Sequence, residues 1–196
     1  MHDPILDQLT ESIAVKQALA ADQALLLAIE NAAQSLVRCL QQGNKVLFAG
    51  NGGSAADAQH LAGELVSRFY YDRPALAGLA LTTDTSVLTA IGNDYGYEQT
   101  FSRQVRGLGR PGDVLVGLTT SGNSPNILAA MAAARELGLV TIGLTGRSGG
   151  KLAQAVDCCL RIPSDSTPRI QECHITVGHI LCALVEARIF PRETHP

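Results

Sequence analysis

The sequence predicts an α/β fold: a doubly wound, mainly parallel five-stranded sheet flanked by helices, with extra helices at the N-terminus. Two observations carry this prediction. Short apolar runs of strand length alternate along the chain with segments whose apolar residues recur at helical spacing. Aromatic residues make up only 4% of the chain and tryptophan is absent, which favours a helix-rich fold over a β-sandwich.

The N-terminal part precedes the first strand and lies outside any strand–helix–strand unit. Residues 5–41 show helical spacing of apolar residues in two segments, and Gln42-Gly43 ends the second. The apolar faces of these helices must pack on the domain or on a partner subunit. At 196 residues the chain suits one well-packed domain, so we assign 1–42 to N-terminal helices and 43–196 to a single α/β domain.

The sheet and its helices follow in order. The first strand covers Val46–Ala49, and a glycine turn then leads to a helix with Ser54 as its N-cap and Asp57 in its first turn. The later elements are predicted as follows: strand 75–81, helix 87–91, a polar loop at 92–97, helix 98–108, strand 114–118, helix 125–136, strand 140–144, a short helix at 152–155, strand 158–162 and helix 170–190.

Two loops at strand ends are suited to a phosphorylated ligand. Gly50–Gly53 follows the first strand, and Thr119–Ser124, which carries four hydroxyl groups, follows the third. Free N–H groups and the helix dipole favour anions at such junctions, and in this fold they lie at the carboxyl edge of the sheet. The absence of G-x-x-x-x-G-K-[ST] and G-x-G-x-x-G patterns makes a monophosphate a better prediction than a nucleotide.

A titratable pair follows the glycine turn. His60 and Glu64 are four residues apart, so they share one face of the predicted helix. A phosphate-type loop leading into a helix with such a pair is an active-site arrangement. The alternative from these residues alone is an ordinary strand–helix junction with a solvated Glu and a half-buried His.

Composition excludes several classes of function. The net charge of −3 and a pI near 5.9 argue against a nucleic-acid partner, and no apolar run reaches the ~18 residues of a membrane span. The first residues do not resemble a signal peptide. The five cysteines lack C-x-x-C spacing and are expected to be reduced, so a cytoplasmic protein is predicted.

Three segments together resemble the sugar-isomerase (SIS) domain, and more narrowly the phosphoheptose isomerases, which act on sedoheptulose 7-phosphate. They are Gly50–Ser54, Thr120–Ser124 and Arg169–Glu172. The resemblance covers almost the whole chain. It implies an aldose–ketose isomerase that makes D-glycero-D-manno-heptose 7-phosphate, a heptose precursor of the lipopolysaccharide core, and it implies a homotetramer with sites shared between subunits.

The resemblance also implies site residues. The resemblance assigns catalysis to Glu64 and His179. It assigns a zinc site to His60, Glu64, Gln171 and His179. The substrate-binding residues implied are Asn51, Gly52, Gly53, Ser54, Asn93, Asp94, Thr119, Thr120, Ser121, Ser124 and Gln171.

The chemistry of the implied reaction allows two accounts of the same residues. Moving a proton between C1 and C2 through an enediol needs a base near the carbon and an acid or cation near the oxygens, which Glu64 and His179 would supply. Zinc held by the four residues would instead polarise the carbonyl. The accounts compete because a carboxylate bound tightly to zinc is a poorer base, and we expect zinc that is bound but labile.

The last helix carries a second histidine. His174 and His179 are five residues apart, about 140° around a helix, so only one faces the site. We expect His179 in the site and His174 buried or at an interface. Glu172 lies on the face of His179 and is a candidate to orient it.

The alternative function comes from the same family. A relative, the initiator-associating protein DiaA, binds the DnaA replication initiator and is not an isomerase, and both ends of this chain resemble it. That relative lacks the carboxylate at the position of Glu64, whereas this chain keeps Glu64, His60 and His179, which favours the enzyme.

Overall fold

A computed structural model describes residues 3–192. Its order of elements is α1 Pro4–Ala21, α2 Gln23–Gln41, β1 Val46–Gly50, α3 Gly53–Val66, β2 Gly78–Ala80, α4 Thr85–Tyr95, a 3-10 turn Tyr97–Gln99, α5 Thr100–Leu108, β3 Val114–Leu118, α6 Pro125–Glu136, β4 Val140–Thr145, a 3-10 turn Gly150–Gln154, β5 Cys158–Arg161 and α7 Thr167–Ile189.

The strands form one parallel sheet in the order β2-β1-β3-β4-β5, which confirms the predicted architecture. From β1 the chain moves outward to β2 and then returns to β3 on the other side of β1. The strand order therefore reverses between β1 and β3. In open parallel sheets ligands bind outside the carboxyl ends of the strands at such a switch point.

The sheet buries a core on each face. Along β1, Val46 and Phe48 pack with α2, α3 and α7, whereas Leu47 and Ala49 pack with α5 and α6. This alternation follows from the two-residue period of a strand. A central strand with both faces covered is apolar throughout, as the sequence of β1 is.

The two N-terminal helices differ in how far their apolar residues are buried. Asp22 ends α1 and caps α2 by accepting the backbone N–H of Leu25. The apolar residues of α2 lie in the core, whereas α1 buries only Leu19. The apolar stripe of α1 is exposed to solvent: Ile5, Leu6, Leu9 and Ile13 are 72%, 60%, 57% and 56% accessible. Exposed apolar stripes of this kind are typical of surfaces that bind another protein or a second subunit.

None of the described helices is long and apolar enough on its own to cross a membrane. The bent pair α1–α2, which meets at 77°, passes the same test of length and composition when taken together.

Three predicted boundaries are wrong. Ser54 is not the N-cap of α3: Gly52, with a positive φ of 56°, holds that position, so the helix begins at Gly53, two residues earlier than predicted. Strand β2 is shorter than 75–81, because the Leu76 N–H bonds to the carbonyl of Leu65 and not to the sheet. Helix α4 continues through the predicted loop as far as Tyr95.

A buried ion pair joins the C-terminal end of α3 to α7. Arg73 and Glu186 lie 3.0 Å apart with side chains only 2% and 1% accessible. The Arg73 guanidinium donates to the carbonyls of Glu64 and Leu65 at the end of α3, and Glu186 accepts the N–H groups of Phe69 and Tyr70. Burial raises the pKa of Glu186, but these hydrogen bonds and the charge of Arg73 lower it below its usual range.

Candidate active site

The loops that follow β1 and β3 lie on either side of the switch point. A Cβ at Gly50 would overlap the backbone carbonyl of Ser54, so the tight turn from β1 into α3 requires glycine there. Ser54 itself is buried, and its N–H is bonded to the carbonyl of Asn51. The substrate-side groups of this loop are therefore the side chain of Asn51 and the exposed backbone of Gly52 and Gly53.

The hydroxyl groups after β3 converge. Thr119 Oγ1 lies 2.8 Å from Ser124 Oγ and 3.5 Å from Ser121 Oγ. Thr120 and Ser121 line a cavity of about 310 Å³ together with Arg147 and Asp165, which form an ion pair of 3.0 Å. Hydroxyl groups and the N-terminal end of a helix are donors that bind a phosphate group.

A closed set of hydrogen bonds joins the two loops. Asn51 and Asn126, the second residue of α6, exchange amide hydrogen bonds of 2.9 and 2.8 Å. The Tyr97 hydroxyl donates to Asn51 Oδ1 at 2.9 Å. The Thr100 hydroxyl donates to the Tyr97 carbonyl, and Asn126 Nδ2 lies 3.5 Å from Thr100 Oγ1. Sequence reasoning missed Tyr97 and Asn126; the one available signal was a polar Asn inside the apolar pattern of α6.

The predicted titratable residues meet between α3 and α7. His60 Nε2 lies 2.8 Å from His179 Nε2 and 3.2 Å from a carboxylate oxygen of Glu64. Glu64 and His179 are half-buried and His60 is exposed. The ring of Phe69 packs 5.6 Å from that of His179. The structure thus brings together three of the predicted site residues from two helices.

Asp57 lies one turn before His60 on α3. It is half-buried, and its Oδ2 atom is buried with no hydrogen-bond partner among the described residues. Burial raises the pKa of this carboxyl, although the nearby imidazoles of His60 and His179 act in the opposite direction.

Helix α7 runs past both parts of the site. Near its start, Ile170 lines the cavity of the hydroxyl loop, and the Gln171 amide packs on Gly53, where an added Cβ would lie 2.9 Å from Gln171 Nε2. His179 follows eight residues later, about 12 Å along the helix axis. Gln171 therefore contacts the glycine turn in this structure, and its role as a zinc ligand stays a prediction.

The three clustered side chains fit a metal ion. One Nε2 atom of each histidine and a carboxylate oxygen lie within 4.8 Å of one another. Zinc accepts this donor set at about 2.0–2.2 Å per ligand in tetrahedral sites. With the ring proton of each histidine on Nδ1, the two Nε2 atoms and the carboxylate oxygen would each offer one lone pair to such an ion.

Some predicted site residues lie elsewhere or act differently. Asn93 and Asp94 are exposed in the last turn of α4 and bond to each other, and no hydrogen bond among residues 3–192 joins them to the rest of the site. Glu172 does not orient His179, because its carboxylate accepts from Arg169 and from the Ser12 hydroxyl at 2.7 Å. Burial raises the pKa of Glu172, but Ser12 and Arg169 lower it overall.

His174 is buried away from the site, as expected. Its Nε2–H donates to the Thr145 carbonyl at 3.2 Å, and its Nδ1 has no partner among the described residues. Burial lowers its pKa from 6.5 to about 4, so the imidazole is neutral at physiological pH.

Known proteins are similar to this chain in both sequence and fold. Residues 10–146 match the SIS domain family. The chain is 58% identical to a phosphoheptose isomerase of Aneurinibacillus thermoaerophilus over 97% of this chain and 96% of that protein, and 54% identical to phosphoheptose isomerase 2 of Campylobacter jejuni over 97% and 94%. The solved structure of phosphoheptose isomerase GmhA from Neisseria gonorrhoeae superposes with a TM-score of 0.88 at 47% identity, covering 93% of this chain and 97% of that one.

Proposed function

Because this chain belongs to the SIS-domain family and, within it, to the phosphoheptose isomerases, we infer that it converts sedoheptulose 7-phosphate to D-glycero-D-manno-heptose 7-phosphate. The reaction is an aldose–ketose isomerisation, and its product is a heptose precursor of the lipopolysaccharide core. The observation that carries the inference is the meeting of His60, Glu64 and His179 between α3 and α7, because the start of α7 also lines the cavity of the hydroxyl loop.

The phosphate of the substrate is proposed to sit on the hydroxyl loop. Thr119, Ser121 and Ser124 supply hydroxyl donors there, and the backbone at the start of α6 adds the positive end of a helix dipole. Along α7, about 12 Å separates Gln171 from His179, a length comparable with an open seven-carbon sugar phosphate. Anchoring the phosphate at one end therefore presents C1 and C2 to the clustered side chains at the other.

The proposed chemistry uses Glu64 as the base and His179 as the acid. The Glu64 carboxylate removes the proton from C1 of the ketose while His179 gives a proton to the C2 oxygen, which yields the enediol. Glu64 then returns its proton to C2 while His179 takes the proton from O1, and the C1 carbonyl of the aldose forms. Each residue ends the cycle in its starting protonation state.

Zinc is the cofactor that we propose for this site. His60, Glu64 and His179 would hold it, with Gln171 as the fourth predicted ligand, and when bound it supplies Lewis-acid stabilisation of negative charge on the substrate oxygens. Glu64 has two carboxylate oxygens, so one oxygen can ligate while the other faces the substrate carbon.

A homotetramer is the assembly that we propose. The four exposed apolar residues of α1 form a stripe that one subunit leaves uncovered, and a second copy of the chain would bury it.

Two variants test the proposed function. Wild type is expected to turn over sedoheptulose 7-phosphate to an aldoheptose phosphate, and Glu64→Gln is expected to lower kcat by several orders of magnitude because the base is lost. Glu136→Gln is the matched control, because Glu136 forms an exposed ion pair with Arg106 at the far end of α6. A wild type that is inactive with and without added zinc contradicts the proposal, and capture of purified DnaA would then favour the DiaA-like alternative.

A further inference from the structure

The hydrogen bonds among residues 3–192 leave the Asn51 side chain with one N–H that has no partner. The Thr100 hydroxyl gives its only proton to the Tyr97 carbonyl at 2.7 Å, so Thr100 Oγ1 can only accept from Asn126. The amide nitrogen of Asn126 therefore faces Thr100. This fixes the orientation of the Asn126 amide, which is 2% accessible.

The orientation of Asn126 in turn determines that of Asn51. Asn126 Nδ2 donates to Asn51 Oδ1 at 2.8 Å, and Asn126 Oδ1 accepts from Asn51 Nδ2 at 2.9 Å. The Tyr97 hydroxyl donates to Asn51 Oδ1 as well. Both lone pairs of Asn51 Oδ1 are thus occupied, and one of the two protons on Asn51 Nδ2 is in use.

We propose that Tyr97 and Asn126 are positioning residues that hold the Asn51 amide as a hydrogen-bond donor, with its one remaining N–H directed to an oxygen of the sugar. This inference rests on the proposed isomerase function. Asn51 lies at the switch point, between the turn after β1 and the start of α6, so a ligand that spans the two loops meets it. An N–H donor strengthens its bond as negative charge develops on a sugar oxygen during enediol formation.

The locked amide also discriminates between ligands. If Asn51 were free to rotate, it would offer either an acceptor or a donor to the same point in space. Because Oδ1 already accepts two hydrogen bonds, it cannot accept a third from a ligand, so the site disfavours a ligand that places a donor there. Binding also costs no conformational entropy for the Asn51 amide, because its orientation is already fixed.

Tyr97→Phe is the central variant because the Tyr97 side chain is exposed and the phenyl ring is retained, so folding is not at risk. Loss of its hydroxyl removes one of the two donors on Asn51 Oδ1 and is expected to lower kcat/KM about two- to tenfold, the effect of one neutral hydrogen bond. Tyr95→Phe is the matched control, because the Tyr95 ring stacks on Arg103 and its hydroxyl is not part of the network. Asn126→Asp, which keeps the acceptor and removes the donor, is expected to lower kcat/KM at least as much.

A double-mutant cycle separates positioning from a purely structural role. In an Asn51→Ala background, Tyr97→Phe is expected to have no further effect on kcat/KM, because the group that it orients is gone. The same cycle is measured for affinity by calorimetry with a six-carbon aldonohydroxamate 6-phosphate, whose hydroxamate mimics the enediolate.

The outcomes distinguish this inference from the proposed function. If wild type turns over the sugar phosphate and Tyr97→Phe costs the same in both backgrounds, the positioning role is overturned and the isomerase stands. If wild type neither turns over the sugar phosphate nor binds the hydroxamate, the proposed function fails and this inference fails with it. If Tyr97→Phe keeps the kcat/KM of wild type while Tyr95→Phe lowers it, the positioning role is likewise overturned.

Discussion

Replacing Gly53 by alanine should separate activity from stability. Gly53 is the first residue of α3 and does not have a positive φ, so alanine fits its backbone without strain. Alanine is a better helix former than glycine and restricts the unfolded chain, which favours the folded state by up to about 1 kcal/mol. The unfolding temperature should therefore stay the same or rise.

The same methyl group should displace Gln171. An added Cβ would lie 2.9 Å from Gln171 Nε2 and 3.0 Å from Oε1, whereas ordinary contacts begin at 3.4 Å. The Gln171 side-chain amide must move away by about 0.5 Å or change rotamer, because the backbones of α3 and α7 are held by close packing. A displacement of 1 Å in a positioning group costs up to about 100-fold in rate, so a loss of about tenfold in kcat/KM is expected.

The assay pairs isomerase kinetics with thermal unfolding. Gly63→Ala is the matched control, because Gly63 lies in the same helix and nothing is within 4 Å of its Cβ position, so it should gain stability without losing activity. Gly53→Ala should add nothing in a Gln171→Ala background. If Gly53→Ala keeps the kcat/KM of wild type, the contact between Gln171 and Gly53 has no part in substrate handling and this reasoning is refuted.

Three further predictions concern pH, assembly and metal. Burial lowers the pKa of His174 to about 4, so as pH falls below 6.5 the imidazole takes up a proton in the unfolded chain before it does so in the folded one. The folded state is therefore most stable relative to the unfolded state above pH 6.5, and it loses stability as pH falls toward 4. Between pH 7.5 and 5 the loss in the free energy of unfolding is about 2 kcal/mol. Urea unfolding should show a correspondingly weaker pH dependence of this free energy for His174→Gln than for wild type, and an equal pH dependence contradicts the prediction. Leu9→Glu should lower the mass measured by light scattering, whereas Ala18→Glu, at an exposed position about 140° around α1 from Ile13, should not. An unchanged mass for Leu9→Glu argues against assembly through α1. Protein purified without chelator should hold about one zinc per subunit and His60→Ala should hold less, and a wild-type content well below one would rule out the proposed zinc site.

Local features of the sequence predicted most of the architecture. The strands β1 and β3 are continuous apolar runs because both faces of each are covered by helices, and the hydroxyl groups follow β3 directly in the chain. The pairing of His60 with Glu64 follows from one turn of helix. These features depend on neighbours in sequence, so a single sequence contains them.

What could not be predicted depends on contacts between distant segments. The Asn51–Asn126 pair joins residues 75 positions apart, and the Gln171–Gly53 contact depends on how α7 packs on α3. The extension of α4 through Asn93 was missed because Gly92 and Asn93 are weak helix formers and tertiary context overrides such propensities. Glu172 shares a helix face with His179, but the nearer charge of Arg169 takes its carboxylate.

The buried ion pair of Arg73 and Glu186 makes one end of the α3–α7 pair a pivot. It joins the two helices there, whereas near Gly53 and Gln171 the contact between them is steric. From Glu186, the lever arm to His179 is about 10 Å and the arm to Gln171 about 22 Å. A substitution that tilted α7 about this pivot would therefore move Gln171 roughly twice as far as His179. The spacing of Glu64 and His179, which lie near the pivot, is the less sensitive of the two to a change in the packing of α7.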